Sequence, residues 1–576
     1  MLGEAAGLVS RLTQSSPGPA SESASLAPSR SGRTLSISGW TIAALLVAAL
    51  AALPIAAILV SAPGGGFEAI THLAQTVLGR YIGNTLLLMV LAGALAAIIG
   101  TGCAWLVTAA RFPGRKLFAW ALVLPLAVPA YIAAYIYADL LDFTGPVQSA
   151  LRSAFGVGVG EYWFPQVRSL GGGAFVLGIV LYPYVYLLAR AGFAAQSLGQ
   201  FSAARSLGAT PMRAFWKVAL PAARPAIAGG LALVLMEVLA DFGVAQYFAI
   251  PTFSTGIFRS WLAMGDKQAA LKLAAIMLVF VIVLIALEAR TRVGRTASKD
   301  GFAARGASNA DEPLIHLSPL GKALATLACA LPVIIGFAIP AAHLGWLALS
   351  DVAIGANGNL WQYAGGSLRL GLATALVCLT AAILLGFAKT RSSSPLTKGA
   401  IRVSTLGYAL PGALLAVGLL APLGAIDGSI SRFARDTFGY SGGLILTGTS
   451  ALLIYALSVR FLTVAFNSID GGLSKIPPSL DAAARSLGAK PARVLTRIYA
   501  PLLSPSIAAA AALVFIDTLR ELPATLILRP FNLETLATRT YRLASDERLV
   551  EASIPALILL AAGLLPVLLL TRTGKR

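Results

Sequence analysis

The chain has 576 residues, of which 57% are apolar and only 12% charged, with a mean hydropathy of +0.80 and a formal net charge of +20. Soluble domains carry about 25% charged residues, so the composition excludes a water-soluble globule and leaves a polytopic membrane protein. A basic excess in such a chain is tested first against the rule that inner loops hold the Lys and Arg, before any nucleic-acid partner is invoked.

Residues 1–36 are rich in Ser, Ala, Pro and Gly and contain no apolar run long enough for a signal-peptide core, so they read as a disordered cytoplasmic tail. A span takes roughly 20 mainly apolar residues. Twelve segments qualify: 41–62, 84–109, 117–137, 172–190, 226–249, 271–288, 323–349, 368–388, 402–422, 443–466, 506–527 and 552–571. A polar stretch, 290–321, divides them six and six, which predicts a first membrane domain at 37–289, a cytoplasmic linker at 290–321 and a second membrane domain at 322–576. With both termini inside, 30 of the 44 Lys and Arg fall on the inner side, whereas 16 of the 24 Asp and Glu fall in the outer half. Because six is even, the second unit enters the membrane in the same orientation as the first. That is a parallel repeat, unlike the inverted repeats of many ion-coupled carriers. The predicted fold class is therefore an all-α polytopic membrane protein, with about 12 transmembrane helices in two tandem parallel six-helix repeats.

The three cysteines, Cys103, Cys329 and Cys378, lie in apolar segments and read as small hydrophobes. The three His are scattered, no CxxC pair occurs and no GxxxxGK[ST] phosphate loop is present. The expectation is a chain with no catalytic residues, no bound cofactor and no fixed metal; any ATP and Mg it depends on belong to a partner.

One segment occurs twice. Residues 203–228 (AARSLGATPMRAFWKVALPAARPAIA) and 483–508 (AARSLGAKPARVLTRIYAPLLSPSIA) are identical at 13 of 26 positions at a constant offset of 280. Each copy is a basic interruption between apolar segments: a short helical run, a glycine suited to ending it in a left-handed turn, and a second run opened by Pro211 or Pro491. A single basic loop is usually a solvated face, but repetition at fixed register argues for function in Ala203, Ala204, Arg205, Gly208 and Arg213 and in Ala483, Ala484, Arg485, Gly488 and Arg493. Other recurrences are Thr255, Arg259 and Asp266 with Thr535, Arg539 and Asp546, and, more loosely, Gly83-Asn84-Thr85 with Gly365-Gly366-Ser367.

The span leaving each copy carries two acids, Glu237 with Asp241 and Asp517 with Glu521, again 280 apart. A spacing of four puts each pair on one helix face, and an ionisable group in a span costs at least about 2.5 kcal/mol unless it faces a bundle interior or aqueous cavity. Two readings stand: a central cation path, or structural carboxylates bonded to Arg520 or to backbone groups. A group of tyrosines, Tyr131, Tyr135, Tyr137, Tyr182, Tyr184 and Tyr186, reads as interface anchors.

The duplicated segment resembles the cytoplasmic coupling loop of permease subunits of ATP-binding-cassette importers. Three further stretches, 124–152 (LPLAVPAYIAAYIYADLLDFTGPVQSALR), 236–261 (MEVLADFGVAQYFAIPTFSTGIFRSW) and 516–541 (IDTLRELPATLILRPFNLETLATRTY), are similar to the ferric iron permeases of that superfamily. Similar fused permeases carry thiamine. The family often has an acid six positions before the loop glycine, where this chain has Ser202 and Ala482, so Arg205, Arg213, Arg485 and Arg493 are left as the polar contacts. The resemblance implies a type I importer permease in the bacterial inner membrane, with two partner ATPase subunits below and a periplasmic or lipid-anchored substrate-binding protein above. It implies no nucleic acid and no partner beyond these and membrane lipid. Arg259, Asp266, Arg539 and Asp546 are candidates for orienting the binding protein. An ion-coupled carrier is the alternative from another class.

Overall fold

The structure is a computed structural model that describes residues 38–573 apart from 65–70, 72–73, 159, 195–197, 303–314, 357, 393, 440–446, 478, 481–483, 485 and 489–490. The predicted tail, residues 1–36, lies outside the described residues.

Six helices form the first half: α1 (Gly39–Ser61), α2 (Gly79–Ala109), α3 (Ala130–Leu141), α4 (Leu170–Gly192), α5 (Leu220–Ala240) and α6 (Lys267–Phe302). Six more form the second: α7 (Pro319–Ala348), α8 (Leu360–Arg391), α9 (Gly412–Phe438), α10 (Ser450–Leu473), α11 (Ala500–Arg520) and α12 (Leu549–Thr573). Among the described residues, ten helices are long and apolar enough to cross a membrane, or eleven if one sharply bent pair counts as a single span. Of the twelve predicted segments, the third is a broken span.

The break separates Arg115–Ala127 from Ala130–Phe155 at an angle of 89°. Its cause is Pro129, which pushes the preceding residue out of the helical region; Val128 accordingly sits at φ −86, ψ 116. The second half repeats the device, because Leu410 before Pro411 sits at φ −83, ψ 123, so the predicted span 402–422 is also interrupted. Continuous apolar composition hid both turns.

Within each half the same three helices pack together: α2, α4 and α5, then α8, α10 and α11. Close approach rests on small residues, as expected where apolar lipid removes the usual drive for association. A Cβ at Gly100 would lie 2.8 Å from the Tyr182 carbonyl oxygen, and one at Gly371 would lie 2.7 Å from the Phe515 ring. The leading helices cross over. Helix α1 packs on α8, α9 and the short Pro395–Ser404 helix of the second half, where Thr41 Oγ1 meets Thr397 Oγ1 at 3.0 Å. Helix α7 packs against α2, α3 and α4 of the first half as well as α12; the Tyr137 hydroxyl donates to the Ile335 carbonyl and His343 Nε2 lies 2.7 Å from Asp139 Oδ2.

The described parts of the stretch predicted as a polar linker, 290–321, have regular backbone at both ends. Helix α6 continues to Phe302, since no proline interrupts a ladder that gains one bond per residue. Ile315–His316 pairs in parallel with Ala110–Arg111. Ser318 then caps α7, its Oγ accepting from the Gly321 N–H at 3.2 Å, with Pro319 at the first helical position.

The structure also corrects two readings of the sequence. Tyr135, Tyr182 and Tyr186 are fully buried, and Tyr131 and Tyr137 nearly so. They are core and cavity residues, not interface anchors, because α3 and α4 sit inside the bundle. The recurrence of Thr255 and Arg259 at an offset of 280 is likewise not structural equivalence. Two capping boxes, Thr252 with Thr255 and Thr535 with Thr538, match at an offset of 283. Beside them the loosely matched trio finds its purpose: Thr85 Oγ1 accepts from the Phe253 N–H at 3.4 Å and Ser367 Oγ accepts from the Leu536 N–H at 2.8 Å.

Candidate functional site

Two features follow the twofold repeat, a pair of exposed turns and one central cavity. In the first turn, the Leu198–Ser206 helix ends at Gly208, whose φ of +86 is left-handed. The Gly208 N–H donates to Arg205 O at 3.0 Å and the Ala209 N–H to Ala204 O at 3.1 Å, the paired bonds of a Schellman ending. Arg205 reaches over the turn to the Ala209 carbonyl at 2.7 Å, and Thr210 caps the next helix, Pro211–Ala214, by accepting from the Arg213 N–H at 3.4 Å. Ala203, Arg205 and Arg213 are exposed and Ala204 half-buried. The second turn repeats this as far as it is described: Gly488 has φ +74, Ala484 is buried, and Arg493 is exposed on the Pro491–Val494 helix. Ala483 and Arg485 lie outside the described residues.

Each turn presents a leucine directly before its glycine, Leu207 at 89% exposure and Leu487 at 87%. The first turn is braced from behind by aromatic packing, with the Trp105 ring 5.2 Å from Phe193, 5.1 Å from Phe201 and 5.0 Å from Phe215. After each turn one π-helical segment, Phe215–Ala219 or Leu495–Tyr499, leads into α5 or α11. Pro221 and Pro501 lack the N–H that would close the ordinary ladder there, which favours the wider turn. The turns are thus joined without a break in helix to the spans that carry the acids.

Those acids meet. A cavity of about 190 Å³ is lined by Glu237, Asp241, Asp517 and Glu521 together with Arg460 and Arg520. Tyr131, Tyr184 and Tyr408 add phenols to the same wall. The four carboxylates divide by chemistry. Helices α5 and α11 both stop at the outer acid, with Asp241 at φ −63, ψ 131 and Glu521 at φ −71, ψ 124. Each then serves the free amides of the short helix that follows. Asp241 Oδ2 accepts from the Ala245 N–H at 3.0 Å, while Glu521 accepts from the Ala524 and Thr525 N–H groups at 3.0 Å each and from Thr525 Oγ1 at 2.9 Å. Glu521 is also ion-paired to Arg460 at 3.3 Å. The inner acids are less committed. Glu237 accepts from the Tyr408 hydroxyl at 3.2 Å. Asp517 receives no hydrogen bond among the described residues and sits in the field of Arg520, Glu237 and Arg460. Among the described residues no group of three His, Cys, Asp or Glu is arranged to hold a metal ion.

Sequence reasoning missed Arg460, Tyr408 and Gly412. Arg460 is itself a charge inside an apolar span, so the rule that singled out the acids applies to it equally. Gly412, at the start of α9, is pressed against the Glu521 carboxylate and lies, by its would-be Cβ, 2.8 Å from Arg460 Nη1. Splitting a buried ion pair costs about 3–5 kcal/mol. Gly412→Leu is therefore expected to lower the thermal melting temperature of the detergent-purified protein markedly, whereas Gly428→Leu, with nothing within 4 Å, leaves it near the parent value.

Of the candidate outer residues, Arg259 and Asp546 are exposed. Asp266 caps the start of α6 by accepting from the Ala269 N–H at 2.9 Å, and Arg539 stacks over the Tyr363 ring at 5.2 Å. Elsewhere on that face, Arg168 bridges Asp142 at 2.8 Å and Glu547 of the second half at 3.3 Å.

Two like membrane halves, each joining an exposed helix–turn–helix to a cavity-lining span, define a permease whose two subunits are fused. The chain belongs to the family described as binding-protein-dependent transport system inner membrane component, which matches residues 96–292 and again 378–573. It is a membrane subunit of an ATP-binding-cassette importer, a class whose members are permeases and not themselves enzymes. It is 25% identical over 499 residues to the Fe(3+)-transport system permease protein FbpB 2 of Haemophilus influenzae, covering 86% of this chain and 90% of that one. It is 27% identical over 269 residues to the sulfate transport system permease protein CysT of Synechocystis, covering 45% of this chain and 91% of the relative. It is also 25% identical over 273 residues to the putative 2-aminoethylphosphonate transport system permease protein PhnV of Salmonella typhimurium, covering 45% of this chain and 97% of the relative.

Proposed function

We propose that this chain is the whole membrane channel of a ferric iron importer, taking its cargo from a binding protein on the outer face and driven by two ATPase subunits on the inner face. Domains at 37–289 and 322–576 supply the two permease halves, both termini face the cytoplasm of a bacterial inner membrane, and ATP and Mg reside on the partners. The observation that carries the reading is the shared cavity: pseudo-symmetric helices bring Glu237 and Asp517 to one place, and oxygen ligands of this kind suit a hard cation. The similarity to a Fe(3+) permease runs through both halves, whereas the sulfate and aminophosphonate relatives match 45% of the chain.

The exposed leucines support the motor contact. Leu207 and Leu487 stand at matching tips, flanked in the first turn by Met212 at 68% and Trp216 at 58% exposure. Apolar side chains presented on a basic knob fit a socket on a partner better than they fit water. The parallel repeat disfavours an ion-coupled carrier.

Uptake of labelled ferric iron in a strain lacking the chain, compared with labelled thiamine, tests the reading. Loss of iron uptake with thiamine unaffected is the expected result. Normal iron uptake, or loss confined to thiamine, overturns the ferric assignment. Uptake that survives deletion of the ATPase and collapses with an uncoupler favours the carrier.

A further inference from the structure

Arg520 breaks the symmetry of the cavity. It is the last residue of α11, and the residue 280 positions earlier in α5 is Ala240. The other guanidinium, Arg460, is spent on Glu521. Arg520 lines the cavity yet forms no hydrogen bond or ion pair among the described residues; its charge is felt by Asp517, Tyr131 and Tyr184. Beside it the Tyr131 hydroxyl has no hydrogen-bond partner among the described residues, on a side chain only 6% exposed. A buried hydroxyl that lacks a partner in the protein is satisfied by water or by a ligand.

An uncommitted guanidinium repels a bare cation. It also offers five donors in a planar fork that matches carboxylate, carbonate or phosphate oxygens. Glu237 and Asp517 offer the opposite charge in the same 190 Å³. The cavity therefore carries both signs, with acids from the two halves and, within the field of Asp517 and Tyr131, the Arg520 cation.

We propose that the cargo crosses as a charge-compensated species, its cationic centre drawn by Glu237 and Asp517 and its oxyanion held by Arg520 and Tyr131. On the ferric reading above, from which this inference takes its cation, iron travels with an oxyanion ligand rather than bare.

The test uses the full transporter in proteoliposomes, supplied with doubly labelled ferric citrate and, separately, ferric phosphate. The expected result is accumulation of the labelled oxyanion with the iron in near-constant ratio. R520Q should lose at least tenfold of both labels, with R520K retaining an intermediate rate. Iron accumulating without either labelled oxyanion overturns the inference even if R520Q fails to fold, because that readout needs only the unaltered chain. Normal uptake by folded R520Q overturns it too. If E237Q/D517N loses iron uptake while R520Q does not, the iron path stands and the oxyanion site falls. Labelled 2-aminoethylphosphonate carried in place of iron, and lost in R520Q, would refute the ferric reading and leave the oxyanion site standing.

Discussion

Replacing Gly208 and Gly488 together by valine is expected to abolish energised uptake while leaving the amount of chain in the membrane unchanged. Both glycines hold left-handed backbone, at φ +86 and +74, and nothing lies within 4 Å of either Cβ position, so the penalty is conformational and not steric. A left-handed L-residue costs roughly 1–2 kcal/mol, and more when β-branched. Two such sites make about 2–4 kcal/mol, equivalent to a loss of docking of about 30-fold to several hundredfold. The spans themselves do not depend on these turns, so insertion should persist. Asparagine tolerates the left-handed region, and Gly208→Asn/Gly488→Asn should keep most of the activity. Uptake by whole cells, normalised to chain abundance, reads the difference. Normal uptake in the valine pair would remove the coupling role from the duplicated segment.

Amide substitution of Glu237 and Asp517 should have the second large effect, and it should be separable from the effect at Asp241 and Glu521. A carboxylate about 4 Å from a bound cation at an effective dielectric near 20 contributes about 4 kcal/mol. Even a third of the roughly 8 kcal/mol that two such charges supply would depress uptake by about a hundredfold, with little change in melting temperature. The outer acids answer to a different chemistry. Glu521 accepts four hydrogen bonds or ion-pair contacts, from Arg460, Ala524 and twice from Thr525, and Asp241 serves the Val244 and Ala245 amides. Asp241→Ala should cost stability of about 0.5–2 kcal/mol as a lost helix cap, and Glu521→Ala about 3–5 kcal/mol as a broken buried pair. Wild-type uptake with all four acids changed would end the pathway proposal. Equal melting-temperature losses at inner and outer acids would erase the distinction between them.

The residues themselves explain which features could be read before the structure. A constant offset of 280 exposed the twin turns and the four acids, because duplicated helices keep their registers when their spacing is unchanged. The same rigidity of offset misled at the outer capping boxes, where the chain gains three residues between Glu521 and Thr535 and the true match moves to 283. Hydropathy found twelve apolar stretches but not the turns at Val128 and Leu410, since apolar content is the same whether a helix continues or bends; the prolines that follow carry that information. Burial of Tyr135, Tyr182 and Tyr186 was illegible for another reason. It depends on contacts between segments far apart in the chain, such as Tyr135 against the Tyr247 ring at 4.5 Å and the Tyr186 hydroxyl on the Ala119 carbonyl at 2.9 Å. The pairing of Arg460 with Glu521 depends on the same kind of distant contact, and Gly412 matters only because that pair exists.

That the Leu207 and Leu487 tips are gripped by the motor is tested most directly by photocrosslinking. A photoreactive phenylalanine is placed at either position in intact cells, and the captured protein is identified by mass. Both positions should trap the same ATPase subunit, and a bulky residue at the adjoining glycine should suppress the product at its own tip. Crosslinks from neither tip to an ATP-hydrolysing protein, or capture of a binding protein from the opposite side of the membrane, would contradict the account.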